Sequence, residues 1–325
     1  MRLLRRRRSK PLRLYVVSDI HGAEGTWRKF LNALQMGVYE ADVGLYAGDL
    51  AGKAIVPIIR DGEVLRAEFE GRVEVARNAE ELAVLERALA DRGYYTEVVT
   101  ADEADRLYAD ARGRDELFER KIEERVRAWM ALADERLGDT GIPIYLVPGN
   151  DDETGLDRHL DGWQVCRNVN ERIDELAGRP VIGFAYSQPT PWDTPRELPE
   201  EQLGERLTAI AERVRDPERA IFMLHVPPHR SGLDEAPLLD ENLRPRVTAG
   251  DVMRGPVGST AIRAAIERYV PTLGVHGHVH ESPGDVRIGP TLCLNPGSEA
   301  QSGILRGYVV DLGEDAVERA FRVEA

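Results

Sequence analysis

Five apolar runs in this chain are each followed at once by side chains able to bind a cation. Leu14–Ser18 leads into Asp19-Ile20-His21, Val43–Ala47 into Gly48-Asp49, and Ile142–Pro148 into Gly149-Asn150-Asp151-Asp152. Ile221–Leu224 ends in His225, and Thr272–Val275 ends in His276-Gly277-His278-Val279-His280. Carboxylate, imidazole and carboxamide oxygen, with no thiolate, suit Mn, Fe, Zn, Ni or Co. Residues two apart can face one cavity while the residue between them turns away, so Asp19 pairs with His21 and His278 with His280. The donors outnumber the roughly four to six positions around one ion, which points to two ions sharing a carboxylate. Singly these pieces carry little: Gly-Asp recurs at Gly138, Gly250 and Gly284, and a lone histidine after a strand reads as a core residue. A His-x-His pair in a chain with 7 histidines carries more, and the ordered set, each member at a strand end, carries the reading.

Such tips meet only if the runs before them are strands of α/β sheets, where ligands sit beyond the carboxyl ends. The runs Leu14–Val17, Val43–Ala47, Ile142–Val147, Val181–Tyr186, Ala220–Leu224 and Thr272–Val275 are apolar throughout, as strands buried on both faces are. Helical patterns separate some of them, at Thr26–Leu34, Ile122–Leu137, Pro199–Arg215 and Ser259–Tyr269. In the second, Ile122, Val126, Trp129, Met130, Ala133 and Leu137 share one face. After residue 284 the pattern turns to strand and turn, predicting an antiparallel section that closes an α/β core.

Residues 53–112 break this rhythm. Ile55–Ile59, Val64–Phe69 and Val73–Val75 read as a meander, followed by a helix carrying Leu82, Leu85 and Leu89 and a strand Tyr94–Val99. Thr100 and Glu103 fit a capping box opening another helix. The segment is expected to be a small α+β cap inserted into a domain that otherwise spans 1–325.

Of the 325 residues 42% are hydrophobic, enough for a sizeable core. Two cysteines, Cys166 and Cys293, make no disulfide framework and suit a reducing cytoplasm. No apolar run reaches the roughly 18–20 residues of a membrane span. A net charge of -14 argues against a general nucleic-acid binder and gives a nuclease little support. The exception is the start, where Arg2, Arg5, Arg6, Arg7, Arg8, Lys10 and Arg13 read as a solvated tail before the first strand.

Asp19-x-His21, Gly48-Asp49, Gly149-Asn150, His225 and Gly277-His278-Val279-His280, in this order, resemble the calcineurin-like metallophosphoesterase superfamily. Pro148-Gly149-Asn150-Asp151-Asp152, His225-Val226-Pro227-Pro228, His278-Val279-His280-Glu281-Ser282 and Asn295-Pro296-Gly297-Ser298 resemble a subgroup related to bacterial cyclic-nucleotide phosphodiesterases. The resemblance covers about 12–52 and 114–310 and implies a four-layer α/β/β/α sandwich. It implies that Asp19, His21, Asp49 and His280 hold one divalent metal, while Asp49, Asn150, His225 and His278 hold a second. A hydroxide held by the ions would attack a phosphate ester, either a small molecule or a nucleotide.

One position departs from the pattern. Many relatives follow Gly-Asn with a histidine that serves the leaving group; here it is Asp151, which two cations should keep ionised. An ionised Asp151 cannot donate a proton and should repel a dianionic monoester more than a diester. His229 and His276 are the substitute candidates for the missing acid. Glu281 and Ser298 are candidates for orienting ligand histidines, and Asp152 for capping the segment after it. His159, Trp163 and Trp192 read as packing or surface residues, and Pro227–Gly258 as a mobile border of the site. The expected activity is a dinuclear phosphodiesterase; the alternatives are a phosphomonoesterase, a nuclease, or a metal-binding scaffold without catalysis. A homo-oligomer is compatible with all of them.

Overall fold

A computed structural model describes residues 10–325. The arginines at 2 and 5–8 lie outside the described residues. The chain opens with β1 (Leu12–Val17), α1 (Glu24–Gln35) and β2 (Val43–Ala47). Then come β3 (Ile55–Asp61), β4 (Val64–Phe69), β5 (Arg72–Ala76), α2 (Ala79–Asp91), β6 (Tyr95–Thr100), α3 (Ala101–Ala109) and α4 (Ala111–Leu137). β7 (Ile144–Val147), the short α5 (Asp157–Leu160), β8 (Cys166–Asn168), β9 (Ile173–Leu176), β10 (Arg179–Phe184) and α6 (Glu200–Ala211) follow. β11 (Ile221–Leu224) precedes four small strands, β12 (Glu235–Pro237), β13 (Val247–Thr248), β14 (Asp251–Val252) and β15 (Arg254–Pro256). α7 (Thr260–Tyr269), β16 (Leu273–Val275), β17 (Gly284–Ile288), β18 (Thr291–Asn295), β19 (Arg306–Leu312) and β20 (Val317–Glu324) complete the chain.

Two six-stranded sheets stack face to face, in the orders β20-β19-β1-β2-β7-β8 and β17-β18-β16-β11-β10-β9. Alternation along β1 explains why its run is apolar throughout. Tyr15 and Val17 join the cluster under α1 and α4, whereas Leu14 and Val16 join the cluster between the sheets. In the outer layer Trp27 of α1 stacks on Trp129 of α4, ring centroids 5.1 Å apart. Between the sheets Val43 and Leu45 meet Val181, Ile221, Met223 and Val275. On the far side Leu203 and Leu207 of α6 and Ile262 and Ile266 of α7 cover Ile182 and Phe222. These four layers are the expected α/β/β/α sandwich.

Two expectations need adjusting. The C-terminal section is antiparallel within each hairpin but divides between the sheets: β18 runs parallel beside β16, while β19 lies antiparallel on β1. The chain crosses the sandwich after Asn295, which a local pattern of alternation cannot show. The helix read from Ile122 starts at Ala111. Its first turns, Ala111-Arg-Gly-Arg-Asp-Glu, carry no apolar stripe to announce it.

Residues 55–109 build a separate four-stranded sheet, ordered β5-β4-β3-β6, over Val56, Ile58, Leu65, Ala67, Leu85 and Leu89. The Thr100–Glu103 capping box is present. This segment is nevertheless fastened to the core at its base. Tyr95 belongs to the main cluster with Ile20, Ala51, Ile122 and Val126, and its hydroxyl accepts from the Gly52 N–H at 2.9 Å. Arg125 of α4 donates to the carbonyls of Gly22 (2.8 Å) and Tyr94 (3.0 Å). Cutting the chain at 53 and 112 would therefore remove a core side chain along with the sheet. Among the described residues no helix is long and apolar enough to cross a membrane.

Candidate metal centre

The carboxyl ends of β1, β2, β7, β11 and β16 bring the seven sequence candidates together. Nδ1, Nε2 or carboxylate oxygen atoms of Asp19, His21, Asp49 and His280 all lie within 4.8 Å of one another. His21 Nε2 stands 2.9 Å from His280 Nε2 and 3.6 Å from Asp49 Oδ2, and His280 Nε2 stands 3.4 Å from Asp19 Oδ1. The remaining three gather on the other side of Asp49. Asn150 Oδ1 is 3.1 Å from His225 Nε2 and 2.7 Å from His278 Nδ1, and His225 Nε2 is 3.4 Å from Asp49 Oδ2. Asp49 thus borders both groups, as a shared ligand must.

Backbone geometry aims these side chains. Asp19, His21, Asp49 and His278 all have positive φ, at 53, 47, 54 and 66°. For residues with a Cβ this region costs about 1–3 kcal/mol each, and such strain concentrates at functional sites. The bends are held by Asp19 N–H to Gly48 O (2.9 Å), His21 N–H to Asp49 O (3.0 Å) and Gly22 N–H to Leu50 O (2.7 Å), which lace the two strand tips together. The glycines of the motifs supply clearance. A Cβ on Gly48 would sit 2.0 Å from His225 Nδ1, on Gly149 1.9 Å from Asp49 Oδ1, and on Gly277 2.3 Å from Asp19 Oδ2. No side chain fits at those distances.

The hydrogen bonds around the centre turn acceptor atoms toward its interior. His225 Nδ1–H donates to the Ala47 carbonyl at 2.8 Å, so in the neutral ring Nε2 is a bare lone pair. Asn150 Nδ2 donates to Thr194 Oγ1 (2.9 Å) and Asp151 Oδ1 (3.2 Å), turning Oδ1 inward. The His278 N–H donates to Asp19 Oδ1 at 2.9 Å, and Ser298 Oγ donates to the Asp19 carbonyl at 2.6 Å. Asn150 Oδ1 and Asp49 Oδ2 then face the ring nitrogens of His225 and His278, and His21 Nδ1 is buried with no hydrogen-bond partner. A cation would satisfy acceptors gathered in this way.

The ionisation of the centre carries the same demand. Burial pushes the Asp19 carboxyl up, but the hydrogen bond and charge of His280 outweigh it and bring it down to about 2. Asp49 is held well below the carboxylate range because His225, His21 and His278 outweigh its burial. Burial drives His21 down to about 3 and His278 to about 4, leaving both as neutral ligands. His225, although its burial disfavours charge, is lifted to about 10 by Asp49 and Asp19. Two buried carboxylates therefore draw positive charge onto the nearest base. The residues fit divalent metals.

The neighbours sort less simply. Asp152 does not cap the segment after it. It is buried and accepts from Gly149 N–H (2.8 Å), Leu50 N–H (3.0 Å) and Ala51 N–H (2.8 Å), tying the Asn150 loop to the Asp49 loop. His276 points into the α7 layer: a Cβ on Gly274 would meet its Nε2 at 3.0 Å and Ile266 at 3.4 Å. Its Nδ1–H is given to the Leu224 carbonyl at 2.7 Å, so it is no acid for a substrate. His229 leans on the buried Asp234 at 3.8 Å rather than on a ligand. Glu281 is exposed, His159 pairs with Glu123 at 3.4 Å, and Trp163 packs on the core. Trp192, read as a packing residue, is 61% exposed.

Asp151 is where the structure adds most. Its N–H donates to Asp49 Oδ1 at 3.1 Å, its Oδ2 stands 3.8 Å from His21 Nδ1, and Lys53 Nζ reaches that same oxygen at 2.9 Å. Burial and the Asp49 charge push its carboxyl up, with Lys53 opposing them. Lys53 was not among the sequence candidates, although a signal existed: it is one of only four lysines in a chain that otherwise uses arginine. Thr194, which orients Asn150, had no signal at all.

A stacked pair of sheets under helices, with carboxylates and imidazoles at the strand tips, defines the architecture of metal-dependent phosphoesterases. Residues 12–282 match the calcineurin-like phosphoesterase family, Metallophos, and the chain belongs to that family. The uncharacterized protein MJ1162 of Methanocaldococcus jannaschii is 27% identical over 156 residues, which are 47% of this chain and 63% of that one. The chain thus matches less than two thirds of that relative's length. Two crystal structures share the fold across 97% of this chain and 99% of their own. One is 16% identical with a TM-score of 0.55; the other, TT1561 of Thermus thermophilus, is 14% identical with a TM-score of 0.53.

Proposed function

We propose that the protein is a dinuclear metal-dependent phosphodiesterase. The observation that carries this reading is the pair of donor groups meeting at Asp49. Asp19, His21, Asp49 and His280 would hold one ion, and Asp49, Asn150, His225 and His278 the other. Two bound divalent cations supply a water of lowered pKa and a clamp on the phosphoryl oxygens. The chain's own part is preorganisation. Asp49 carries the charge that lets two cations sit close together, Ala47 fixes the His225 tautomer, and Thr194 keeps the Asn150 oxygen turned inward.

Asp151 enters as a paired group. The repulsion of monoesters that an isolated carboxylate would exert is largely offset by Lys53 at 2.9 Å, so Asp151 alone confers less diester preference than its charge suggests. The diester reading rests instead on the shortage of fixed cations. Among the described residues no arginine side chain hydrogen-bonds or ion-pairs with the ligand side chains, and Lys53 is already engaged. A dianionic monoester finds little beyond the metals to hold its second charge. We assign Asp151 the role of anchoring Lys53, and leave His229 at the border of the site with Asp234. Residues 53–112 are proposed to act as a cap on one side of the centre. Free, buried Cys166 and Cys293 support a reducing, cytoplasmic setting.

The test is hydrolysis of a model diester and a model monoester by protein reconstituted in turn with Mn, Fe, Zn, Ni and Co. The proposal expects metal-dependent turnover with a higher kcat/KM for the diester. Equal or reversed kcat/KM values would move the reading to a phosphomonoesterase. No turnover with any metal would leave a metal-binding scaffold.

A further inference from the structure

Lys53 has a second environment. Besides its ion pair with Asp151, it forms one end of a cavity of about 360 Å³ between the inserted sheet and the start of α4. Its other walls include Ile55 and Pro57 of β3, Tyr108 of α3, and Arg114, Asp115 and Phe118 of α4. We propose that this cavity receives the organic group of the phosphate ester, and that the group it takes is a flat aromatic ring of nucleobase size. The inference rests on the proposed phosphoesterase centre and names the part of the substrate which that centre does not touch.

Three observations carry it. The first is continuity. From the cavity the path runs through Lys53 to Asp151 at 2.9 Å, and from Asp151 to His21 at 3.8 Å and Asp49 at 3.1 Å. A phosphoryl group at the metals and a ring in the cavity would lie on either side of one ammonium group. The second is size, since roughly 300–1,000 Å³ is the usual range for small-molecule sites. The third is the character of the walls. Ile55, Pro57 and Phe118 contribute aliphatic and aromatic surface, and Phe118 is itself braced edge-on by Tyr95, centroids 5.6 Å apart. Tyr108, 63% exposed, leaves part of its side chain open to an incoming group. Beside it Arg114, which pairs with Asp115 at 3.8 Å, brings a guanidinium, and both groups are of the planar kind that can stack on a ring. A purely polar substrate would leave the Ile55, Pro57 and Phe118 surface unused.

The construction also accounts for the position of the insertion. The chain leaves β2, passes Asp49, and four residues later supplies Lys53 before entering β3. The same excursion that carries a ligand therefore carries the first wall of the cavity, and α3 and α4 bring back the others.

The test uses calorimetric titration of the full, manganese-loaded chain with three probes: inorganic phosphate, ribose 5-phosphate and adenosine 5′-monophosphate. The last two share a charge and differ in the ring. The proposal expects the adenosine compound to bind at least about tenfold tighter than ribose 5-phosphate, since one stacked base is worth roughly fivefold to a hundredfold. Tyr108→Ala and Arg114→Ala should each remove most of that difference while leaving affinity for inorganic phosphate unchanged. Both positions are exposed, so neither variant should fail to fold. Equal affinity for the two ribose compounds, or an advantage that survives both substitutions, would overturn the cavity assignment alone. Absence of phosphate binding to the metal-loaded protein would overturn the metal-centre reading, and the cavity assignment with it.

Discussion

The strand-tip loops and the inserted sheet lie side by side, and they obey different constraints. In the tips, Asp19, Asp49 and His225 are buried, four ligand positions have positive φ, and three glycines stand where a methyl group would strike a ligand. Almost any substitution there meets a steric or electrostatic penalty. The insertion has a small core of its own and leaves Val73 and Val84 60% and 64% exposed. Its cavity is lined by ordinary residues, any of which could be exchanged for another of similar size. Catalytic geometry under strain is written in few residue types, whereas a recognition wall is not.

The largest break in this comparison should come from Asp49→Ala. Both donor groups lose a member and the charge that balances two cations. Activity should fall by more than the roughly 10²–10³-fold that follows loss of one charge-stabilising group. Circular dichroism should stay close to wild type, because Asp49 packs no core layer. Activity within tenfold of wild type would remove Asp49 from the centre.

Gly149→Ala tests the steric half of the argument. The new methyl would lie 1.9 Å from Asp49 Oδ1 and 2.4 Å from its backbone nitrogen, and the rigid loop cannot retreat. We predict a loss of about 1–3 kcal/mol by thermal unfolding together with weakened metal affinity. A comparable alanine at Gly62, where open space surrounds the turn, should leave metal affinity untouched.

The backing of the Asn150 loop should show as pH dependence. Burial raises the Asp157 carboxyl, but Arg196 and the amides of Asn168 and Asn170 outweigh it and hold the group below its usual range. A carboxylate depressed in the folded state contributes stability above its unfolded pKa near 4 and loses it as the pH falls through the lower folded value. Asp157→Asn should therefore cost about 1–2 kcal/mol at neutral pH, a difference that shrinks in acid below about pH 4. Denaturant unfolding of both proteins from pH 7 to pH 3 measures it. A constant difference would mean the pair with Arg196 is not what holds Asp157.

The smallest effect belongs to the insertion. Thr100→Ala removes the reciprocal cap of α3 and should cost about 1 kcal/mol. Hydrogen exchange should quicken in residues 101–109 while metal affinity stays as it was. Loss of metal affinity would show that the two regions are more tightly coupled than their separate cores suggest. The coupling that does exist is at the base, where a Cβ on Gly93 would lie 2.0 Å from the His21 carbonyl.

How far the sequence could be read follows the same division. β2 begins and ends where its apolar run does, at Val43 and Ala47, because a strand buried on both faces admits no polar residue. The candidate ligand set is legible because its members follow such strands. The start of α4 was hidden, since its first turns face solvent and carry no stripe. Lys53 and Thr194 were missed for a different reason. Each acts by touching a residue distant in the chain, Lys53 on Asp151 and Thr194 on Asn150, and neither sits in a pattern of its own. A local reading makes Asp152 a cap for the next segment, but its partners Leu50 and Ala51 lie about a hundred residues upstream.

Anomalous diffraction from crystals grown with manganese tests the central claim most directly. Two peaks are expected, one among Asp19, His21, Asp49 and His280, the other among Asp49, Asn150, His225 and His278, with Asp49 touching both. A single peak, or peaks that leave Asp49 out, would contradict a shared dinuclear centre.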